Sequence, residues 1–334
     1  MLDWLRLLRI SGLATIASNT LAAILLGFYA GESVHFQWLL ARLWHNGWGC
    51  LWVPVTSFLL YAAGMVWNDL VDVDKDRRDR TSRPLAAGRI GLAPAYVVGV
   101  LLVIGAVLAS LKIDHGYYGL MAAGLVLSLI LLYNLVAKDV PVLGSVVMAL
   151  TRGSHACFAL LLIGPDHLRT ALVGGPAPGL RSFLVYPAVL TLYVFGLTLM
   201  SELEDHARRG RRIELLVGGG CVGLALLLAL SRLAEAPWLA SQLNGGLPSK
   251  AGAFLGLGVA LGAAGWAGWR FFRPWWQAVR LSRCAAVPPV VLAGLGGLIL
   301  LDVIFATAAH PLAGLLVLGL FPVFLGLGRL ARMD

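Results

Sequence analysis

The sequence has few charged residues and few cysteines. The first shortage argues against a soluble protein, and the second argues against a site built from cysteines. Charged residues make up 13% of the 334 positions, whereas soluble domains carry roughly 25%. The four cysteines are scattered in or beside apolar segments, and no pair has metal-binding or redox spacing. We therefore expect these cysteines to be buried free thiols. The chain is therefore predicted to be a membrane protein without a cysteine-based site.

Long apolar runs follow one another from end to end, and hydrophobic residues make up 59% of the chain. A helix of about 20 apolar residues crosses a bilayer, and helical spans satisfy every backbone hydrogen bond internally. The sequence therefore predicts an all-α, polytopic membrane bundle. The candidate spans are residues 11–30, 50–67, 92–111, 117–135, 141–164, 182–200, 213–231, 252–271, 286–308 and 311–329.

The formal net charge of +9 reflects membrane topology rather than a nucleic-acid partner. With the N-terminus placed in the cytosol, most lysines and arginines fall in cytosolic segments, as the positive-inside rule requires. An even number of spans then returns the C-terminus to the cytosol. We expect an integral protein of the bacterial inner (plasma) membrane, with membrane lipids and no nucleic acid as partners.

Acidic residues are concentrated directly after the second apolar run. On a helix, Asp69, Asp72 and Asp76 stand at i, i+3 and i+7 and share one face, where like charges repel. Their grouping becomes favourable around a cation, and Mg²⁺ combines one or two carboxylates with substrate phosphates. Nearby basic residues are able to bind phosphate oxygens. They are Lys75, Arg77, Arg78, Arg80 and Arg83. The alternative is a solvated loop of mixed charge.

Two segments here resemble a known family. The pattern Asn68-Asp69-x-x-Asp72-x-x-x-Asp76 resembles the NDxxDxxxD motif of the UbiA superfamily of intramembrane prenyltransferases. Residues 82–90, SRPLAAGRI, resemble the segment that follows this motif in the family. The family usually has nine helices around a central cavity, so the resemblance and the ten candidate spans together predict nine to ten transmembrane helices. The resemblance also implies Mg²⁺-dependent transfer of a prenyl group from an isoprenyl diphosphate donor to a lipophilic or aromatic acceptor, at an active site facing the cytosol.

A second acidic stretch, Glu202-Leu203-Glu204-Asp205, follows the sixth predicted span. In the family two acidic motifs face each other, so the resemblance implies that Glu202, Glu204 and Asp205 hold metal opposite Asp72. The first acid is Glu rather than Asp, and His206 stands where another acid is expected. With the tenth helix, these departures resemble the EboC-type bacterial branch.

The repeated acidic stretches also suggest how the chain is organised. We expect one integral-membrane domain over residues 1–334, built from two pseudo-repeated four-helix halves. The first half covers about 1–136 and the second about 137–271, with C-terminal helices at 286–329.

The resemblance gives further residues their expected roles. Asp69, Asp72 and Asp76 would hold Mg²⁺, and Asn68 would orient phosphate or metal-bound water. Arg83 and Lys138 would bind diphosphate oxygens. Tyr133 and Lys138 resemble a Tyr/Lys motif of the family, although a lysine that only sets topology is the alternative. The expected catalytic residues are Asp72, Asp76, Lys138 and Asp205.

Polar residues inside predicted spans are costly and usually face a cavity or one another. Arg152 either lines the substrate cavity or forms a salt bridge with Asp302. Asn19 either lines the cavity or makes a helix–helix hydrogen bond. His155 and Asp302 are expected to be packing partners.

Two other functions compete with prenyl transfer. A non-catalytic isoprenoid-lipid carrier or scaffold would keep the fold and one acidic cluster, and the state of the second cluster discriminates it from an enzyme. A CDP-alcohol phosphotransferase also uses membrane aspartates with Mg²⁺, but it requires a DGxxAR signature, which this sequence lacks.

Overall fold

The computed structural model describes residues 2–29, 49–113, 117–158, 178–205, 212–244, 246–281 and 286–330. The predicted all-α fold is confirmed, because these ranges form helices joined by short turns, with no strand among them. Residues 31–49, whose Trp and Leu content favours an interfacial helix, and residues 165–181, whose Gly and Pro content favours an external loop, lie mostly outside the described residues.

The helices follow the apolar runs of the sequence, with short helices added at the bundle ends. A 3₁₀ turn at Ala137–Asp139 precedes the seventh helix. In chain order the helices are α1 (Leu2–Leu7), α2 (Ile10–Tyr29), α3 (Gly49–Val71), α4 (Val73–Asp79), α5 (Leu92–Ser110), α6 (Tyr117–Leu135), α7 (Leu143–Cys157), α8 (Pro178–Asp205), α9 (Arg212–Ala234), α10 (Pro237–Leu243), α11 (Leu247–Leu281), α12 (Pro288–Ala309), α13 (Pro311–Leu318) and α14 (Leu320–Leu330).

Eight segments of the described chain are long and apolar enough to cross a membrane. The eighth of them, Pro311–Gly328, combines α13 and α14, and α2 adds a shorter apolar segment at Gly12–Gly27. The predicted polytopic membrane protein is therefore confirmed. The predicted fifth span is represented by α7, which carries Arg152 and His155 and is not among the eight.

Helix α11 differs from the prediction, because it continues through Pro274 to Leu281 instead of ending at residue 271. The continuation packs on α9, where Trp275 Nε1 donates a hydrogen bond to the Leu215 carbonyl oxygen over 2.7 Å. This tertiary contact outweighs the helix-breaking tendency of proline.

The C-terminal helix α12 lies in the middle of the bundle. It packs against α2, α8, α9, α11 and α13, and 72% of its apolar window is buried, against 22% for α5. Helix α5 therefore faces lipid, and the C-terminal helices belong to the core. The predicted division into halves at 1–136 and 137–271 stays a prediction.

Helices α8 and α9 approach closely at two glycines. A Cβ atom added to Gly196 would lie 2.5 Å from the Gly218 carbonyl oxygen, and one added to Gly218 would lie 2.6 Å from the Gly196 carbonyl oxygen. Small residues at such crossings allow the backbone-to-backbone packing that holds membrane helices together.

We predict that Gly218→Leu destabilises the protein, because the added side chain forces α8 and α9 apart. Overpacking typically costs about 1–3 kcal/mol, which lowers the melting temperature in detergent. The matched control is Gly220→Leu on the same helix, where an added Cβ meets nothing within 4 Å. Equal melting temperatures for the two variants would contradict the close crossing.

Candidate active site

The bundle contains a cavity of about 760 Å³ that is lined by both charged and apolar side chains. The segments that follow α3 and α6, including the short helix α4, supply charged side chains. These are Asp72, Lys75, Asp76, Arg80, Arg83 and Lys138. Deeper along the helices, Thr15, Tyr61, Arg152 and His155 line the wall. The C-terminal helices add apolar side chains, including Leu292, Leu295 and Phe324.

The acidic stretch keeps nearly helical register although α3 and α4 are separate helices. Asp72 lies between them with φ −86° and ψ 0°. Its backbone N–H donates to the Asn68 carbonyl oxygen over 3.0 Å, and the Asp76 N–H donates to the Asp72 carbonyl oxygen over 2.8 Å. The helical spacing that grouped the aspartates in the sequence is therefore present.

Basic side chains compensate these carboxylates. Arg83 Nη1 lies 2.7 Å from Asp76 Oδ2 and 3.3 Å from Asp69 Oδ1, so one guanidinium bridges two acids. Arg9 Nη2 approaches Asp69 Oδ1 to 3.2 Å. Lys138 Nζ pairs with Asp72 Oδ1. The segments at residues 9, 69–83 and 138 are thus joined by ion pairs at one end of the bundle.

The three aspartates differ in their access to the cavity. Asp72 is half-buried and Asp76 is buried, and both line the cavity. Burial raises the pKa of the Asp76 carboxyl; Arg83 opposes this shift, and the charges of Asp69 and Asp72 add to it. Asp69 is buried at 4% exposure, is not part of the lining, and also accepts a bond from Asn68 Nδ2 over 3.4 Å.

The donor chemistry at this end fits Mg²⁺. Asn68, Asp72 and Asp76 line the cavity with amide and carboxylate oxygens, which are the hard ligands this ion prefers. Among the described residues no three acids, histidines or cysteines converge into a complete metal site. One or two carboxylates would suffice, because Mg²⁺ usually takes its other ligands from water and substrate phosphates.

The second acidic stretch is only partly described. Glu202 Oε1 accepts bonds from the Ser145 N–H at 3.2 Å and from Ser145 Oγ at 2.6 Å, and Oε2 accepts from the Val142 N–H at 3.1 Å. Glu202 therefore caps the N-terminus of α7, where unpaired N–H groups favour a carboxylate. The side chains of Glu204 and Asp205 lie outside the described residues, so their facing of Asp72 stays a prediction.

Arg152 lines the cavity and is linked to Asp302 through Asn19. Its Nη1 donates to Asn19 Oδ1 over 3.3 Å and its Nη2 donates to Thr15 Oγ1 over 3.1 Å. The guanidinium carbon lies 5.8 Å from the centre of the Tyr61 ring. Of the two arrangements open at the sequence level, the cavity lining is found, and the direct salt bridge to Asp302 is not.

Asp302 is fully buried and receives hydrogen bonds from two helices. Ser18 Oγ and Asn19 Nδ2 on α2 donate to its Oδ2 over 2.6 and 2.7 Å, and Tyr186 Oη on α8 donates to its Oδ1 over 2.7 Å. Asn19 therefore makes the helix–helix bond that was one of its two predicted roles. The carboxylate of α12 ties the C-terminal core to the cavity wall.

Several residues that line or contact the site were not predicted from the sequence. His155 was expected to be a packing partner, but it lines the cavity, and its Nδ1 has no hydrogen-bond partner among the described residues. Its i, i+3 spacing from Arg152 was a usable signal, because such residues share a helix face. The sequence contains no comparable signal for Arg9 and Tyr61, since their contact with the site depends on tertiary packing.

Comparisons with known proteins agree with the family resemblance of the sequence motifs. The sequence profile of the UbiA prenyltransferase family matches residues 20–282. The digeranylgeranylglyceryl phosphate synthase of Methanoculleus marisnigri is 30% identical over 174 residues, which cover 50% of this chain and 57% of that protein. The enzyme of the same name from Saccharolobus solfataricus is 27% identical over 186 residues, which cover 54% and 58%. The chain thus spans little more than half of these curated relatives.

A solved structure shares the fold. The apo structure of a UbiA homolog from Aeropyrum pernix K1 superimposes with a TM-score of 0.54 at 16% identity. The match covers 86% of this chain and 94% of that one.

We predict that Asp69→Asn lowers stability, because Arg9 loses its carboxylate partner and Arg83 keeps only Asp76. Removing one partner of charged hydrogen bonds costs about 1–3 kcal/mol. The control is Asp74→Asn, which breaks an exposed pair, since the Asp74 side chain is 84% exposed. The measurement is thermal unfolding in detergent, and a loss no larger than that of the control would show that the Asp69 pairs contribute little.

Proposed function

The chain belongs to the UbiA prenyltransferase family, and we propose that it transfers a prenyl group from an isoprenoid diphosphate to a lipophilic or aromatic acceptor. One observation supports this most directly. The cavity joins a charged end, lined by Asp72, Asp76, Arg83 and Lys138, to an apolar wall. A prenyl diphosphate has the same division into a charged head and an apolar tail.

In this proposal the charged end binds the diphosphate. Arg83 and Lys138 now pair with Asp76 and Asp72, and both bases would turn to phosphate oxygens as the donor enters. Asp72 and Asp76, with Asn68, would then hold the ion. Mg²⁺ bound there supplies Lewis-acid neutralisation of the charge that develops on the leaving diphosphate.

The apolar wall would protect the other product of bond cleavage. When the bond between the allylic carbon and the diphosphate oxygen breaks, the carbon becomes a cation that water would quench. Leu292, Leu295 and Phe324 line the cavity from the C-terminal helices, and apolar side chains exclude water. The acceptor then attacks the cation, forms the new bond to carbon and loses a proton.

The distribution of charge supports a cytosolic site. The charged end of the cavity lies in the segments after α3 and α6, which the positive-inside rule assigns to the cytosol. Both curated relatives are named digeranylgeranylglyceryl phosphate synthase. Glycerol-phosphate lipids therefore belong among the acceptors to be assayed, beside hydroxylated aromatic compounds.

We predict that Asp72→Ala lowers turnover about 100-fold or more, the loss typical when a group that stabilises transition-state charge is removed. Purified protein would be incubated with geranylgeranyl diphosphate, Mg²⁺ and a membrane-lipid extract, and prenylated products would be followed by mass spectrometry. The control, Asp74→Ala, removes an exposed carboxylate from the same segment and should retain wild-type turnover.

Two outcomes count against this function. Wild-type turnover in Asp72→Ala at saturating Mg²⁺ would remove the metal site from the reaction. A wild-type protein that binds isoprenyl diphosphates of several lengths without releasing diphosphate would favour a lipid carrier.

A further inference from the structure

We propose that one face of α11 binds an anionic phospholipid of the surrounding membrane. This lipid face combines three arginines, which would bind the headgroup, with three glycines, which leave room for an acyl chain. Its residues are Arg270, Arg273, Arg280, Gly258, Gly262 and Gly265. None of the six lines the cavity, so the inference goes beyond prenyl transfer and does not depend on it.

The lipid face is the side of α11 that the bundle leaves uncovered. Its six residues fall within roughly 140° of the helix circumference at 3.6 residues per turn, and all six are exposed. The opposite side is buried through Ala260, Ala267 and Phe271, where α11 packs against α9 and α12. In a membrane protein, lipid is the environment that covers an exposed helix face.

Each arginine of the lipid face lies over a tryptophan ring. The distances from guanidinium carbon to ring centre are 6.0 Å for Arg270 and Trp266, 5.8 Å for Arg273 and Trp269, and 5.1 Å for Arg280 and Trp276. The three rings are 49–55% exposed. A cation–π contact holds the guanidinium in place, while its N–H donors are free to bind phosphate in bidentate fashion.

The arginines have no internal counter-charge in the part of the chain that the structure describes. Helix α11 contains no acidic residue, and no described carboxylate lies within 4.0 Å of the three guanidinium groups. Like charges on one helix face repel, and a bound anion relieves that repulsion. A second copy of the chain does not, because a two-fold interface would bring arginines against arginines.

The arginines lie at the same end of the bundle as the aspartates of the candidate site. Trp275 Nε1 donates to the Leu215 carbonyl oxygen, which places this part of α11 beside the beginning of α9. Helix α9 follows the end of α8, where Glu202 caps α7 next to the turn of Lys138. Headgroups begin at the ends of membrane helices, and tryptophan is enriched at that level.

The glycines extend the lipid face into the apolar part of the membrane. A Cβ atom added to Gly258, Gly262 or Gly265 would meet nothing within 4 Å, so the helix surface is low there. From Gly258 to Trp269 the helix rises roughly 16 Å at 1.5 Å per residue. One leaflet contributes about 15 Å of hydrocarbon. An acyl chain therefore fits along the glycines when its headgroup is bound at the arginines.

The test compares phosphatidylglycerol with phosphatidylcholine of identical acyl chains, so that only the headgroup differs. Each lipid is titrated into the purified protein in detergent, and bound lipids are counted by native mass spectrometry. We expect wild type to bind phosphatidylglycerol about tenfold or more tightly, because basic residues at the membrane surface attract anionic lipids. This preference should decrease as the salt concentration rises, because ions screen exposed charges.

Two triple variants with the same loss of charge separate a site from general attraction. The first carries Arg270→Gln, Arg273→Gln and Arg280→Gln and should lose the preference for phosphatidylglycerol. The control should retain it, because its substitutions lie at the other end of the bundle. They are Lys112→Gln, Arg232→Gln and Lys250→Gln.

A second pair of variants tests the glycines. Gly262→Leu places a side chain where the acyl chain would lie, and it should weaken phosphatidylglycerol binding. The control is Gly124→Leu on α6, where an added Cβ also meets nothing within 4 Å. This control should bind the lipid as wild type does. Melting temperatures without added lipid show whether each variant is folded.

Four results would overturn the inference. They are equal affinity of wild type for the two lipids, a preference that does not change with salt, an unchanged preference in the first triple variant, and an equal loss of preference in the control triple variant. A wild-type dimer that Gly262→Leu dissociates would instead assign the face to a second copy of the chain. If the first triple variant does not fold, the salt dependence of wild type and the glycine pair decide.

Discussion

The bridge from Arg83 to Asp69 and Asp76 is the interaction on which the charged end of the cavity depends. Carboxylates grouped at the end of an apolar helix repel one another unless cations lie between them. Arg83, with Arg9 and Lys138, supplies that charge and thereby joins three distant parts of the chain. The buried Asp69 anchors this arrangement, while Asp72 and Asp76 line the cavity.

A second polar arrangement joins the cavity to the core. Asp302 on the central helix α12 holds Asn19, and Asn19 holds Arg152. The C-terminal helices also supply part of the apolar wall, although they extend beyond residues 20–282 of the family match. They therefore take part in both the packing and the shape of the candidate site.

The sequence predicted those features that depend on local pattern. The length of the apolar segments predicted the helices, and the spacing of Asp72 and Asp76 predicted that they share one helix face. Both features depend on local sequence and not on the packing of distant helices. The contact of Arg9 with Asp69, the lining role of His155 and the cap that Glu202 provides for α7 depend on how distant helices pack. The end of α11 was missed for the same reason, since Trp275 extends it against α9.

In the proposed function, the cavity binds an isoprenyl diphosphate through Mg²⁺ held at Asp72 and Asp76. Calorimetric titration of geranylgeranyl thiodiphosphate, a slowly reacting analogue, into the purified protein tests this claim without requiring turnover. We expect binding in Mg²⁺ and an affinity about tenfold weaker or worse in EDTA, since charged contacts of this kind contribute 1.5–3 kcal/mol. Equal affinity in Mg²⁺ and in EDTA would show that the diphosphate does not bind through a metal ion at Asp72 and Asp76.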